Sequence, residues 1–424
     1  MIGDDKSSVS NSRRKFLVNS ASGAASLASI GPFTAFASSA ATGGVPQPIA
    51  YKITRWRQDP FALGSYSYLA KGAKSKQRKD LAKHVDERIT FCGEATDRDA
   101  PATVHGALNS GIRAAEEVME SDAETVAIIG AGVAGLAAAR MLRDDGYNVV
   151  VFEARDRIGG RVWTDQSLGI PLDLGASWIH GLKGNPLTRI AKDIGAKLLP
   201  TDYENYIARN GKGVVEDEDQ LPSWFKEVTS IEHEYAADIG QLSKDATEEG
   251  EDLRGGDAIF ANGYSQIAQS LLGGFEVLLS HQVDRISYGE QGVQIGRKGK
   301  EQRFDVAIIS VPLGVLKAGT IKFDPPLPKK KQKAINDLGM GLLNKVYLKF
   351  DHVFWDRDAD MLGMVHEKRG HFTEWVNIYK YIGEPILLGF NAGSVADEIE
   401  QLSDQETVGA AMQMLIHIYG NNRF

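Results

Sequence analysis

Thr125-Val126-Ala127-Ile128-Ile129, Gly130-Ala131-Gly132-Val133-Ala134-Gly135 and Leu136-Ala137-Ala138-Ala139-Arg140-Met141-Leu142 follow one another without a break. The first is a short apolar, β-branched run of the kind that makes a strand buried on both faces, and the last is a strong helix pattern. The glycines between them read as a turn from strand into helix. After Gly146 a second β-branched run, Val149-Val150-Val151-Phe152, ends in Glu153. Each part suits the holding of a dinucleotide. Gly130 permits a tight turn, Gly132 lets the backbone approach a pyrophosphate, and Gly135 lets helix and strand pack closely. The helix N-terminus offers unpaired N–H groups and partial positive charge to phosphates, and Glu153 can accept both hydroxyls of an adenosine ribose. A glycine triplet alone is weak evidence; strand, triplet, helix, second strand and terminal acid in register are strong evidence.

Composition bounds the partners. At 424 residues, with 42% hydrophobic and 25% charged residues, the chain reads as an ordinary globular protein long enough for two domains sharing a cleft. Its formal net charge of −8 argues against nucleic acid, which needs a basic face, and favours cationic substrates. The single cysteine, Cys92, excludes an intramolecular disulfide and a cysteine-built metal site, so no metal is expected. No stretch after the N-terminal segment is apolar enough for long enough to span a bilayer.

The residues after Glu153 separate a flavin from a nicotinamide partner. Ala154-Arg155-Asp156-Arg157-Ile158-Gly159-Gly160-Arg161 resembles the second half of the fingerprint of the flavin-containing amine oxidase superfamily, in which the acid leads into a Gly-Gly-Arg turn. The resemblance implies FAD, with Arg155, Gly160 and Arg161 along its pyrophosphate and ribose, a task suited to planar, permanently charged side chains. Solvated surface arginines are the alternative.

Other blocks resemble the same family. Asp59-Pro60-Phe61-Ala62-Leu63-Gly64-Ser65-Tyr66-Ser67-Tyr68 is similar to the substrate-side motif of polyamine oxidases and flavin-dependent lysine-specific histone demethylases. That likeness places Tyr66 beside the flavin and Trp56 against its ring; a packed core aromatic is the alternative for each. Gly93-Glu94-Ala95-Thr96, followed by a helix from Pro101-Ala102-Thr103-Val104 to about Met119, resembles the family's C-terminal flavin signature. It implies Glu94 near the ribitol or phosphates, and Thr103 and Val104 at the pyrimidine end, where a helix N-terminus stabilises negative charge. Gly175-Ala176-Ser177-Trp178-Ile179-His180-Gly181 has the polyamine-oxidase form. It implies Ser177 and Trp178 at the cofactor and His180 facing the substrate channel, able to bond or deprotonate an amine; a structural histidine is the alternative. Val283 matches the position whose backbone holds the adenine. Lys345 lies in an apolar strand, Gly339 to Leu348, where a charge is costly without a task, and the family match supplies one: a water held at the reactive flavin nitrogen. A snorkelling structural lysine is the alternative, and Trp375 is a weaker candidate for the cavity wall. Gly64-Ser65-Tyr66 stands where monoamine oxidases attach their flavin through cysteine, so FAD is expected to be non-covalent.

The order of these blocks is unusual. In the family the glycine fingerprint comes first and the Tyr66 and Glu94 motifs last, whereas here the last section precedes the first. We read this as a circular permutation, the old termini joined through Glu120 to Glu124 and the new ones falling at Phe424 and near Val45.

Residues 1–41 read as an export signal and 42–50 as a linker. Ser12-Arg13-Arg14-Lys15-Phe16-Leu17 resembles the twin-arginine signature, an Ala/Ser/Gly run follows, and Ala35-Phe36-Ala37 offers a cleavage site. Export by the twin-arginine machinery, to the periplasm or medium, suits a protein that acquires its cofactor before crossing. The expected fold is α/β: a Rossmann-like FAD domain (86–182 and 254–320) with a discontinuous α+β substrate domain (51–85, 183–253 and 321–424). Within it, Lys71 to Lys83 reads as a surface loop, Asn185 to Leu253 as helical and acidic, and Arg303 to Ser310 as one strand. The expected activity is oxidation of a polyamine-type primary or secondary amine to an imine, O2 being reduced to H2O2. Another flavin amine or amino-acid oxidase, and a rearranged flavin-binding protein without turnover, are the alternatives.

Overall fold

The computed structural model describes residues 44–420, so the expected export signal lies outside the described residues. The glycine stretch folds as read, with strand Thr125–Ile129, helix Val133–Asp144 and strand Asn148–Phe152. Both strands belong to a five-stranded sheet in the order Glu276–Leu278, Asn148–Phe152, Thr125–Ile129, Val306–Ile309, Ile89–Phe91. Every pairing in it is parallel. Parallel sheets are covered on both faces, and Val126, Ala127, Ile128 and Ile308 are fully buried. Helix Val104–Met119 crosses helix Val133–Asp144 so closely that a Cβ on Gly111 would stand 2.1 Å from the Ala134 carbonyl. The class is α/β, with a Rossmann-type parallel sheet.

A seven-stranded sheet forms the other half, in the order Ala50–Ile53, Leu343–Lys349, Ile386–Ala392, Glu374–Asn377, Met361–Met364, Tyr206–Asn210, Gly213–Val214. Among the described residues no helix is long and apolar enough to cross a membrane.

Three local expectations are corrected, each by tertiary pairing. Lys71 to Lys83 is not simply a loop, because Lys76–Ala82 is a helix that buries Arg78, Leu81 and Ala82. Arg78 makes a two-pronged pair with the buried Glu249 at 2.9 Å on both prongs, a partner that local sequence does not reveal. The Asn185 to Leu253 segment is not wholly helical: Tyr206–Asn210 joins the large sheet in parallel with Met361–Met364, and Leu198–Thr201 pairs with Asp257–Phe260. Arg303 to Ser310 is two strands. Lys300–Phe304 closes an exposed hairpin and Val306–Ile309 enters the central sheet. Asp305 pins the break, its carboxylate accepting from the Glu124 and Thr125 N–H groups and the Thr125 hydroxyl.

Candidate active site

One continuous cleft runs from the carboxyl ends of the parallel strands to the face of the large sheet, with about 2250 Å³ of empty space, its open mouth included. Every residue singled out above for cofactor or catalysis lines it except Gly135. Gly135 lies behind the wall, where a Cβ would meet the Gly130 carbonyl at 2.1 Å, so the glycine sets the strand-to-helix packing.

At the cofactor end the backbone makes the surface. Gly130 turns the chain with φ 109°, a left-handed conformation that glycine tolerates. A Cβ built on Gly132 has nothing within 4 Å, so the cleft is open at this glycine. Glu153, 5% exposed, accepts from the Ala131 N–H at 2.7 Å and the Arg155 N–H at 2.8 Å, which fixes its carboxylate at the rim with further lone pairs to spare. Thr103 caps helix Val104–Met119 through the Gly106 N–H, so a helix start opens on the same cleft. The arginines are tied to carboxylates. Arg155 grips Asp59 with two bonds of 2.7 and 2.8 Å, and Arg161 bonds Glu94 and the Ser65 carbonyl at 2.8 Å each. Burial pushes Glu94 towards the neutral form, but Arg161, the Ser67 hydroxyl and Arg78 together outweigh it and hold the carboxyl below its usual range.

At the substrate end side chains make the surface. Tyr203, Trp178, Phe390 and His233 form a chain of rings, with successive centroids 6.4, 6.3 and 5.9 Å apart. The Tyr66 hydroxyl bonds the His233 carbonyl at 2.6 Å. Lys345, 4% exposed, donates to the Asp173 and Gly175 carbonyls and the Ser177 hydroxyl at 2.8, 2.6 and 2.6 Å, so it ties its strand to the Asp173–Ser177 turn. Burial drives its ammonium towards the neutral form against the attraction of Asp173, and burial likewise raises Asp173. Trp56 is buried and donates to the Leu174 carbonyl. Val283 is buried at the opposite end of the wall. His180 stands half-exposed at the cleft, oriented by Asp257 at 2.7 Å.

Trp375 is corrected. It is fully buried, stacked on Phe372 with 5.7 Å between ring centroids, and is not part of the wall. Side chains alternate along a strand, and it is the neighbouring Glu374 that reaches the cleft residue His233, at 3.0 Å. His233, Tyr203, Phe390 and the Arg78–Glu249 pair also line or flank the cleft but carry no local motif. Only the cost of a buried charge could have pointed to Arg78, and an arginine in a basic run gives no such hint.

A model of the family described as flavin containing amine oxidoreductase matches residues 38–119, 133–249 and 208–424. The chain is 34% identical to Polyamine oxidase 2 of Arabidopsis thaliana over 72% of this chain and 74% of that protein. It is 31% identical to Lysine-specific histone demethylase 1 homolog 2 of Oryza sativa subsp. japonica, over 74% of this chain and 50% of that one. Two solved structures share the fold. A putrescine oxidase bound to putrescine is 21% identical with TM-score 0.54, covering 70% of this chain and 82% of its own. Cyclohexylamine oxidase from Brevibacterium oxydans is 21% identical with TM-score 0.52, covering 71% and 83%. A family match of that extent, on a fold whose glycine turn and acid-tipped strand open into one cleft with an aromatic wall, is decisive: the chain belongs to the flavin containing amine oxidoreductases and is an FAD-dependent amine oxidoreductase.

Proposed function

We propose that the protein oxidises a polyamine-type primary or secondary amine, with FAD held non-covalently. The carrying observation is that a single cleft joins the glycine turn and Glu153 to the wall of Tyr66, Trp178, Tyr203, Phe390 and Lys345. The residues fit the cofactor. Open space beside Gly132 and the start of helix Val133–Asp144 suit the pyrophosphate, Glu153 the ribose, the Val283 backbone the adenine, and the Thr103–Val104 helix start the pyrimidine end. Gly160, Arg155, Arg161, Glu94, Trp56, Ser177 and Trp178 complete that lining. Bound FAD would supply the two-electron oxidation of the amine to an imine, with O2 as the final electron acceptor and H2O2 as its product.

This chain's own part is to bind, orient and exclude water. The ring chain offers π faces to a cationic or aliphatic amine and keeps bulk water from the reacting carbon. His180, held by Asp257, stands where an incoming ammonium can lose its proton. Lys345, with Ser177, holds the turn that carries Trp178, and we assign it to the redox end of the cleft. The arginines lining the cleft, Arg78, Arg155 and Arg161, are each paired with a carboxylate, which favours an amine over an amino-acid substrate. Non-covalent attachment is supported by Cys92, which is buried, does not line the cleft and has its thiol pushed up to about 11 by burial.

The chain order is proposed to be a circular permutation, with a cofactor domain and a substrate domain divided as the sequence suggests. In its support, Val45 shares a buried cluster with Leu415, Ile418 and Tyr419, so the two ends of the described chain meet in one core. Glu120, Asp122 and Glu124, in the joining segment, are exposed. We also propose twin-arginine export, on the sequence of residues 1–41 alone. The central test is anaerobic addition of spermidine to the purified holoenzyme. Loss of the visible flavin absorbance is expected, whereas a spectrum unchanged by spermidine, putrescine and benzylamine overturns the reading.

A further inference from the structure

The ring of Tyr203 enters the cleft from a turn, not from a strand. Residues 202–205 join strand Leu198–Thr201, in the three-stranded sheet that also carries Trp178, to strand Tyr206–Asn210 in the seven-stranded sheet. A turn that belongs to neither ladder opens more readily than the strands beside it. Yet Tyr203 lines the cleft and packs on Trp178 with 6.4 Å between ring centroids. A carboxylate behind the turn fixes it. Asp360 is 2% exposed and does not line the cleft. Its Oδ1 accepts from the Asp202 N–H at 3.1 Å and from the Tyr381 hydroxyl, and its Oδ2 accepts from Asn205 Nδ2 at 2.7 Å and from the Lys380 ammonium. The backbone repeats the tie, the Asp360 N–H donating to the Asn205 carbonyl at 2.9 Å. Burial pushes the carboxyl towards the neutral form, but Lys380, Tyr381 and the donors of the turn outweigh it and hold it below its usual range.

We propose that Asp360 is a positioning residue for the substrate wall, acting on the bound amine through Tyr203 by fixing the turn 202–205 that carries the ring to Trp178. The inference rests on the amine-oxidising function proposed above. Two of the four donors to the carboxylate flank Tyr203, one on each side in the chain, so the ring cannot swing out of the cleft without breaking one of them. The other two stand on helix Tyr379–Ile382, in the connection that leads to the strand of Phe390. A buried carboxylate stabilises a fold less than apolar residues of the same volume would, so closing the turn does not by itself call for one. What it adds is direction: a fully satisfied polar network holds its members in one geometry, as a binding wall built on a turn requires.

The test is anaerobic stopped-flow reduction of the holoenzyme over a range of spermidine concentrations, which gives the amine Kd apart from the limiting rate. Tyr203→Ala should raise that Kd at least about fivefold and Asp360→Asn about threefold, with flavin content unchanged, and the double variant should bind no more weakly than Tyr203→Ala alone. An Asp360 that only braces the fold would lower the melting temperature and leave the Kd as in wild type, or would add its effect to that of Tyr203→Ala; either result overturns the proposal. Should Asp360→Asn not fold, Asn205→Ala removes one donor from the side of the turn, and it must raise the same Kd with the same lack of additivity. Hydrogen exchange reads the turn without any amine: in the Asp360→Asn or Asn205→Ala holoenzyme, amides 202–205 should exchange about tenfold faster than in wild type. Unchanged exchange overturns the tie. Failure of the broader function is separate, since it shows as wild-type flavin that no amine reduces, whatever the exchange of the turn.

Discussion

The two ends of the cleft are built on opposite plans. At the cofactor end, one continuous segment from Thr125 to Arg161 supplies the turn, the helix start and Glu153, and the backbone at Gly130 and Gly132 forms part of the surface. At the substrate end, Tyr66, Trp178, His233, Lys345 and Phe390 come from separate segments, and side chains make the surface. A surface made of backbone needs particular residues at fixed spacing, so it leaves a motif. A surface made of side chains needs only that distant segments pair in register, and it leaves almost none. The same division separates what each end tolerates: backbone geometry forbids substitution on steric grounds, whereas the side-chain wall can exchange one selectivity for another.

This contrast can be broken or sharpened by experiment. The largest effect is expected where the side-chain plan carries a buried charge. Arg78→Met removes the two-pronged partner of the buried Glu249 and should cost about 3–5 kcal/mol of stability, read as a fall in chemical-denaturation midpoint. A neutral result would mean that Glu249 finds water. At the backbone end, Glu153→Ala removes the carboxylate fixed by the Ala131 and Arg155 N–H groups and should weaken FAD by about 1–3 kcal/mol. Unchanged flavin content after dialysis would contradict the ribose assignment. Lys345→Met keeps length and apolar bulk, so flavin content should be near normal while reduction or reoxidation slows at least about tenfold, roughly 1.4 kcal/mol in the barrier. Wild-type rates in both half-reactions, followed by stopped flow, would make Lys345 a structural tie for Asp173, Gly175 and Ser177 only.

A smaller effect depends on pH. Glu94 is held below its ordinary value of 4.5, so its ion pairing stabilises the fold above that pH and the contribution is lost as pH falls through the depressed value. Glu94→Gln should therefore cost about 1 kcal/mol at neutral pH, and its deficit should shrink as acid titrations pass below 4.5. A deficit that stays constant with pH would show the glutamate to be uncharged in the fold. The smallest effect is expected in the segment Glu120 to Glu124: two inserted glycines should change stability by less than about 0.5 kcal/mol and leave FAD bound. Loss of flavin there would count against the proposed circular permutation.

The cofactor half was legible because each of its requirements is local. Gly130 needs a positive φ, Gly135 needs room beside a carbonyl, and Glu153 must follow a buried strand, and all of these are met within one stretch of chain. The helix start at Thr103 and the buried lysine at position 345 were legible for the same reason, as a cap and as a charge among apolar neighbours. The helix Lys76–Ala82 was not, since its buried face is set by Glu249 and by the helix Lys329–Asp337 packed beside it. Nor was the exchange of roles between Trp375 and Glu374, which depends on which face of one strand meets the short helix at His233. By itself the sequence determined the dinucleotide turn and the family, because these rest on steric and electrostatic demands that neighbouring residues must satisfy together. Only the tertiary structure decided which arginines are already paired, where Lys345 sends its protons and how His233 meets Glu374, because a hydrogen bond forms between whatever groups the folded chain brings within reach.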